Sequence, residues 1–341
     1  MNEIYLSIQT IYKIIDYLLL NAYATKSKGL YNGKSGIAIA LFEVAKFLKD
    51  DNLEEQAFIL IQDSLIGDSE NINFESGESG IGFALLYLIQ NKFIDTSFDD
   101  IFSKKYHQIL AYLHQKSSHA KTTSLLSSLF FLGSLPISKI DSKLKYLIHQ
   151  IEQDTEFELD HFYSEYRNSI LCISPIYIVE KMRMYLNWKI HHNTMNKSIK
   201  FIKAYLSLIQ MKRIIPDLIS LLYLNIANKT FENINLNQNI IQELISTTLR
   251  NLNTSAISLK QHLTILYLIH NFKNVFDFLE RPTNLIQTDD KALEDLLISK
   301  ISPNQWIAGY GYGLSRLLLY YVFNEYCQKG YNTSRFQILL G

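Results

Sequence analysis

Residues 29–41 read GLYNGKSGIAIAL, a short polar loop followed by a Gly-x-x-Gly pair and the start of an apolar helix. The pattern returns as FESGESGIGFALL at residues 74–86, with Gly77 placed 44 positions after Gly33. A third copy, AGYGYGLSRLL, occupies residues 308–318. A period of this length is typical of repeat proteins. Glycine in the loop permits a positive φ, and the second glycine permits close approach of another backbone.

The rest of the chain predicts an all-α fold. It has only 5 prolines among 341 residues, and period-2 alternation bounded by turn signals is hard to find. The small-plus-apolar pattern recurs at residues 122–129, 168–174, 215–222, 258–266 and 311–319. Seven apolar inner helices, each with an amphipathic outer helix, predict an α/α toroid of about seven helical hairpins in a single domain, residues 1–341. The alternative is an open solenoid, which needs polar capping units.

Two of the predicted outer helices are amphipathic. Residues 50–66 place Phe58, Ile61 and Leu65 on the inward face, and residues 98–113 form the next outer helix. The first 20 residues also read as an amphipathic helix rather than a signal peptide, and no run is apolar enough to span a bilayer. These features predict a soluble, cytoplasmic protein without a transmembrane segment.

Charge and cysteine content argue against nucleic-acid binding, polybasic membrane contact, a cysteine metal site and a disulfide framework. Lys and Arg number 33 and Asp and Glu also number 33, so nothing favours nucleic acid or a polybasic membrane contact. Cys172 and Cys327 form neither metal-type spacing nor a disulfide framework, which fits a reducing compartment. The sequence therefore predicts no cofactor and no metal site.

The glycine loops hold the candidate binding residues. In a toroid the starts of the inner helices converge on one mouth, where unpaired N–H groups and aromatic rings suit an extended peptide. The residues predicted to line this groove are Tyr31, Asn32, Lys34, Glu75, Glu78, Trp306, Tyr310, Tyr312 and Arg316. The alternative is that the aromatic residues only seal the junction between the first and last repeats. A second polar cluster consists of Asp160, His161 and Glu165. These side chains either reach the central cavity of the predicted toroid or belong to a solvated loop.

The repeated glycine loops resemble those of the lanthionine synthetase C-like family. The resemblance covers nearly the whole chain and is specific at residues 33–41, 77–85 and 309–318. It implies an α/α toroid of seven helical hairpins and the addition of a peptide cysteine to a dehydroalanine or dehydrobutyrine. In zinc-dependent members, a Trp-Cys-x-Gly motif and a Cys-His-Gly motif hold the metal, and a His-Gly-x-x-Gly motif supplies an acid/base histidine.

This chain departs from the family at those motifs. The matching windows are Arg167-Asn168, residues 213–216 and residues 256–258, and none holds Cys or His. The resemblance therefore implies maturation of a ribosomally made peptide without a family-type zinc site, either by binding the peptide or by forming thioether rings. Catalytic residues stay unassigned.

The partners that the resemblance implies are the precursor peptide and a dehydratase or other peptide-modifying enzyme. The alternatives are a non-catalytic scaffold subunit and an unrelated α/α-toroid enzyme such as a glycoside hydrolase, which needs two carboxylates across a cleft.

Overall fold

The fold is known from a computed structural model, and within its described ranges all regular structure is helical, as the sequence predicts. The residues that the structure describes are 6–67, 70–117, 124–165, 176–193, 200–231, 234, 236–253, 257–279 and 313–341. Across these ranges, no helix combines the length and the apolar character that crossing a bilayer requires.

The α-helices are numbered here in chain order over the described residues. They are α1 (Ile8–Ala24), α2 (Lys34–Leu48), α3 (Asp51–Leu65), α4 (Glu78–Gln90), α5 (Phe98–Ser117), α6 (Ser124–Gly133), α7 (Ser142–Glu165), α8 (Ile176–His192), α9 (Lys200–Gln210), α10 (Leu218–Thr230), α11 (Gln238–Arg250), α12 (Leu259–Asn271), α13 (Leu314–Gln328) and α14 (Gln337–Leu340).

Seven of these helices form a circuit of contacts. The circuit runs in the order α2, α4, α6, α8, α10, α12 and α13, and each helix packs on the next one. The last of them, α13, packs back on α2. The members are buried on most sides: in α2 every residue from Ser35 to Ala45 is buried. By contrast α11 buries only Ile241 and Ile245, as an amphipathic helix on the outside does.

The contact between α13 and α2 joins the two ends of the series. The Phe47 ring packs edge-on against Tyr321 with 5.6 Å between ring centroids, and against Tyr326 at 6.1 Å. Aromatic pairs in this geometry stabilise beyond the area they bury. The junction between the first and last inner helices is therefore an aromatic cluster.

The predicted helix starts agree with the structure where it describes them. Helices α6, α10, α12 and α13 each begin within the matching predicted repeat, and residues 168–174 lie outside the described ranges. One side chain was predicted wrongly: Phe58 is 39% exposed. The buried stripe of α3 runs through Ala57 and Ile61, and a helix turns about 100° per residue, so Phe58 falls on the outer side.

The glycine loops of the first two repeats pack directly on each other. A Cβ at Gly29 would lie 2.4 Å from Ser76 Cα, and one at Gly80 would lie 1.9 Å from the Phe74 carbonyl oxygen. The Tyr31 N–H donates to the Glu75 carbonyl oxygen at 2.8 Å across this contact. Close approach is thus the reason for glycine here. The expected positive φ is wrong at Gly33, whose φ is −132°.

Candidate functional site

A cavity of about 270 Å³ lies inside the circuit of helices. The residues that line it come from the loops before α2 and α4, from α6, α8, α10, α12 and α13, and from the segment after α13. They are Tyr31, Phe74, Glu75, Phe130, Glu180, Arg183, Met184, Asn187, Ile219, Tyr223, Ser258, Lys260, Gln261, Thr264, Arg316, Ile338 and Gly341. Every member of the circuit or its leading loop thus contributes to one cavity.

Residues 334–341, called here the floor segment, close one side of this cavity. Its Leu339 and Leu340 are fully buried, while Ile338 and Gly341 face the cavity. The buried Arg316 guanidinium holds the segment by donating to the carbonyl oxygens of Leu339, at 2.9 Å, and of Leu340. The same guanidinium donates to the Thr264 hydroxyl at 2.9 Å. One arginine therefore ties α13, α12 and the floor segment together.

A buried ion pair anchors the start of the floor segment to α2. Arg335 donates a hydrogen bond to one oxygen of the Glu43 carboxylate at 2.8 Å, its Nε lies 2.8 Å from the other oxygen, and Glu43 is fully buried. The Tyr87 hydroxyl of α4 donates to the same carboxylate. Burial, and then the Glu43 charge, raise the pKa of Tyr87 well above its usual value, so this hydroxyl stays protonated. The anchor is a fixed hydrogen-bonded cluster.

Lys260 is a partly buried cation of the cavity. It follows the Ser258 N-cap at the start of α12, and its Nζ lies 5.4 Å from the centre of the Tyr31 ring. Burial, and then the nearby Arg316 charge, lower the pKa of Lys260 to about 8, although the Glu180 carboxylate acts in the opposite direction. Near neutral pH this side chain is an ammonium group whose charge is poorly hydrated.

Two further charged side chains of α8 face the cavity. Arg183 binds Asp217, and its Nε lies 3.3 Å from the Ser220 hydroxyl. Asp217 also caps α10 by accepting the Ser220 N–H at 3.0 Å. Glu180, one turn before Arg183, is exposed at the cavity wall. Positive and negative groups therefore share this wall with the aromatic rings.

The expected free N–H groups at the helix starts are not observed in the first two repeats. The N–H groups of Lys34 and Ser35 donate to carbonyl oxygens of residues 27 and 28, at 3.1 and 3.3 Å. In α4, the N–H groups of Glu78 and Ser79 donate to carbonyl oxygens of residues 71 and 72. The preceding loops thus satisfy these donors, and the anion-binding argument for these starts was wrong.

The structure describes six of the predicted groove residues, and three of these six line the cavity. Tyr31, Glu75 and Arg316 come together in the cavity. Lys34 instead pairs with Asp63 of α3 at 2.9 Å, and the buried Glu78 pairs with Lys105 of α5 at 3.1 Å. The remaining residues are Asn32, which is exposed, and Trp306, Tyr310 and Tyr312, which lie outside the described residues.

The second polar cluster lies on the exposed side of α7. His161 is exposed, pairs with Glu165 at 3.3 Å and stacks on Phe157 at 6.1 Å. The pKa of neighbouring Asp160 is raised by burial.

Among the cysteines, Cys327 is half-buried in α13 and burial raises the pKa of its thiol, whereas Cys172 lies outside the described residues. A thiol of this kind is a poor nucleophile.

The residues do not fit a zinc ion of the type that the family resemblance implies. Within the described ranges, no three His, Cys, Asp or Glu side chains converge as metal ligands would. Residues 213–216 and 257–258 offer one arginine, a proline, a serine and apolar side chains, and none of these is a zinc ligand. We therefore derive no chemistry through a metal.

Sequence reasoning missed Lys260, Arg183 and Glu180 as cavity residues. A single charge on a helix usually indicates a solvated face. The available signal was that Lys260 follows a small-residue helix start in the same repeat position as the glycine loops, with Ser258 before it.

Comparisons of the chain with protein-family models, with curated proteins and with solved structures found no match.

Proposed function

We propose that the chain is an α/α toroid of seven helical hairpins that binds a peptide in its central cavity. The peptide would be ribosomally made, as in the lanthionine synthetase C-like family that the glycine loops resemble. The support for the ring is the circuit of contacts from α2 through α13 and back to α2.

One observation carries the peptide-binding proposal: the ring interior already holds a peptide segment. The floor segment enters the ring, and its carbonyl oxygens at residues 339 and 340 accept hydrogen bonds from the Arg316 guanidinium. The interior therefore combines buried donors for peptide carbonyls with aromatic rings for side chains. Such a mixture is typical of sites that recognise short peptides.

Peptide binding accounts for the cavity better than thioether formation does. Ring closure needs a deprotonated thiol and a group that returns a proton to carbon. Among the residues that the structure describes, those that line the cavity include neither Cys nor His. We therefore propose binding of the peptide, with any covalent chemistry performed by a partner enzyme.

A blocking substitution at the cavity wall tests this proposal. Peptides selected from a random displayed library on the intact protein would be measured with the wild type and with Glu180→Trp, which places an indole at the cavity wall. We expect the variant to weaken binding about tenfold or more, equivalent to about 1.4 kcal/mol. Glu55→Trp, at an exposed position of α3, is the matched control and should bind as the wild type does.

Two results would count against the proposal. The first is a library that yields no peptide bound by the wild type. The second is a Glu180→Trp variant that keeps the wild-type circular dichroism spectrum and also keeps full affinity, because the bound peptide would then lie outside the cavity.

A further inference from the structure

A second groove lies between the C-terminal half of α7 and the start of α8. Its volume is about 490 Å³, within the range of about 300–1,000 Å³ typical of ligand sites. This groove, called here the α7 groove, is lined by residues of α6, α7 and α8, and none of these residues also lines the central cavity. The α7 groove is therefore a separate feature of the molecule.

The base of the α7 groove is apolar, and its edge carries exposed aromatic rings. Leu125, Ile151 and Ile178 form the base, and each is at most 6% exposed. At the edge, Phe157 is 73% exposed and Tyr177 is 55% exposed. Exposed apolar side chains that lie together at a groove, rather than singly, indicate an interaction site.

The aromatic edge presents flat faces to solvent. The Phe157 and His161 rings lie on successive turns of α7 with only 2° between their planes and 6.1 Å between their centroids. A planar guanidinium group stacks on such faces, whereas an ammonium group contacts them as a point charge. The edge of the α7 groove therefore suits arginine better than lysine.

A polar stripe with three carboxylates runs along the same side of α7. Its members Asp154, Glu158, His161 and Glu165 recur at intervals of four, three and four residues, so they share one side of the helix. Lys181 of α8 binds Glu158. The other two carboxylates, one at each end of the stripe, are the ones that could pair with a ligand.

The two end carboxylates have little to hold them within the protein. Among the residues that the structure describes, Asp154 has no hydrogen-bond or ion-pair partner. Glu165 lies 3.3 Å from the His161 ring, and both of these side chains are exposed, so the contact is worth little. The described residues that line the α7 groove include neither Lys nor Arg. Its charge is thus complementary to a cationic partner.

The spacing of Asp154 and Glu165 sets the spacing of the cations. The two residues are 11 positions apart in α7, which corresponds to about 16 Å along the helix axis at 1.5 Å per residue. An extended chain advances about 3.3 Å per residue. Two cations four or five positions apart in an extended segment would therefore reach both carboxylates.

We propose that the α7 groove docks an extended protein segment with two arginines four or five positions apart and an apolar residue between them. The guanidinium groups pair with Asp154 and Glu165 and stack on the rings of Phe157 and Tyr177. The apolar side chain lies on the base of the groove. This interaction goes beyond the proposed binding of a peptide in the central cavity and does not depend on it.

Three synthetic peptides test the proposal on the intact protein. The first is acetyl-Arg-Ala-Leu-Ala-Arg-amide. The second carries citrulline in place of both arginines, which keeps the shape of the side chain and removes its charge, and the third carries lysine. We expect calorimetry to show that the arginine peptide binds about tenfold or more tightly than the citrulline peptide. It should also bind about threefold or more tightly than the lysine peptide.

Salt gives an independent readout. Raising the salt concentration from about 0.1 M to about 1 M shortens the screening length from about 10 Å to about 3 Å. The affinity of the arginine peptide should therefore fall, while that of the citrulline peptide stays constant. A salt-independent affinity of the arginine peptide would count against pairing with the carboxylates.

Two substitutions locate the binding at the α7 groove. Asp154→Asn removes the charge at one end, and Phe157→Ala removes an edge ring; both side chains are exposed, so we expect the circular dichroism spectrum to stay unchanged. Each should weaken binding of the arginine peptide about threefold or more. Glu55→Gln, at an exposed position of α3, is the matched control for the loss of a carboxylate and should bind as the wild type does.

Equal affinity for the arginine and citrulline peptides, or no binding of either, would overturn the proposal. So would full affinity in folded Asp154→Asn and Phe157→Ala variants, because the arginine peptide would then lie elsewhere. If either variant fails to fold, the comparison of the peptides on the wild type still decides the question. Equal affinity for the arginine and lysine peptides would overturn the assignment of arginine.

The proposed function fails or stands separately. Library peptides that bind in the central cavity should bind Asp154→Asn as they bind the wild type. Loss of their binding in this variant would show that both kinds of peptide share one site and would overturn the α7 groove as a separate site.

Discussion

Gly80 is a residue at which the glycine loops leave very little room. A Cβ there would meet the Phe74 carbonyl oxygen at 1.9 Å and Leu30 Cβ at 2.9 Å, so a backbone has to shift. We expect Gly80→Ala to lower the free energy of unfolding by about 1–3 kcal/mol or more, as overpacking does. Urea unfolding measures this. Gly330→Asn is the control, since its φ of +71° suits Asn and nothing lies within 4 Å; a comparable loss there would contradict the packing argument.

His192 predicts how stability changes with pH. Burial, and then the charges of His191 and Lys189, lower the pKa of His192 from 6.5 to about 4. Because the folded-state pKa is the lower one, the neutral ring stabilises the fold fully above pH 6.5, and this contribution is lost as pH falls toward 4. We expect His192→Gln to lose less stability than the wild type between pH 7 and pH 4.5.

The urea midpoints at the two pH values test this expectation for His192. His107→Gln removes an exposed histidine of α5 and is the control, because carboxylates titrate equally in both variants. An identical pH dependence in the wild type and His192→Gln would show that the ring is not held neutral by the fold.

The floor segment is an element whose anchoring depends on one buried charge pair. Arg335→Ala would leave the Glu43 carboxylate, which is fully buried, without its cation. Breaking a buried pair in this way costs about 3–5 kcal/mol, and the partial exposure of Arg335 favours the lower value. We expect this loss in urea unfolding, and a smaller loss when Glu43→Gln is added to Arg335→Ala.

The matched comparison for the Arg335 anchor is the pair of Lys139 with Asp99, whose carboxylate is exposed. Lys139→Ala should cost less than about 1 kcal/mol, as surface ion pairs do. Equal losses for the two substitutions would mean that Glu43 is hydrated in solution and that the floor segment is held by its apolar residues alone.

The elements were more predictable from the sequence than the site was. Helix starts carry local sequence signals: Ser258 caps α12, and Pro216 precedes α10. The inner helices could therefore be located from the repeat period and these signals. The direction of a side chain depends on the neighbouring helix. Glu78 follows a glycine loop as predicted but turns toward Lys105 of α5, whereas Lys260 turns inward. No local pattern encodes that difference.

At the scale of the whole molecule, the circuit of helices predicts a compact particle. A compact chain of this length has a radius of gyration of about 20 Å, and an open array of hairpins is longer. We expect small-angle X-ray scattering to give about this value with a single-peaked distance distribution. A clearly larger radius with an extended tail would show that α13 and α2 separate in solution and would remove the support for a closed ring.

The Glu43–Arg335 pair also constrains how the protein is made. Its two members are 292 positions apart. At ordinary rates of translation, Glu43 is synthesised roughly 15 to 60 seconds before its partner. During that interval α2 lacks both the cation for Glu43 and α13, on which it packs, so the first hairpins have not reached their final packing. Apolar faces of the inner helices therefore stay exposed while the chain is being synthesised. We expect chaperones that hold unfinished chains to bind these faces.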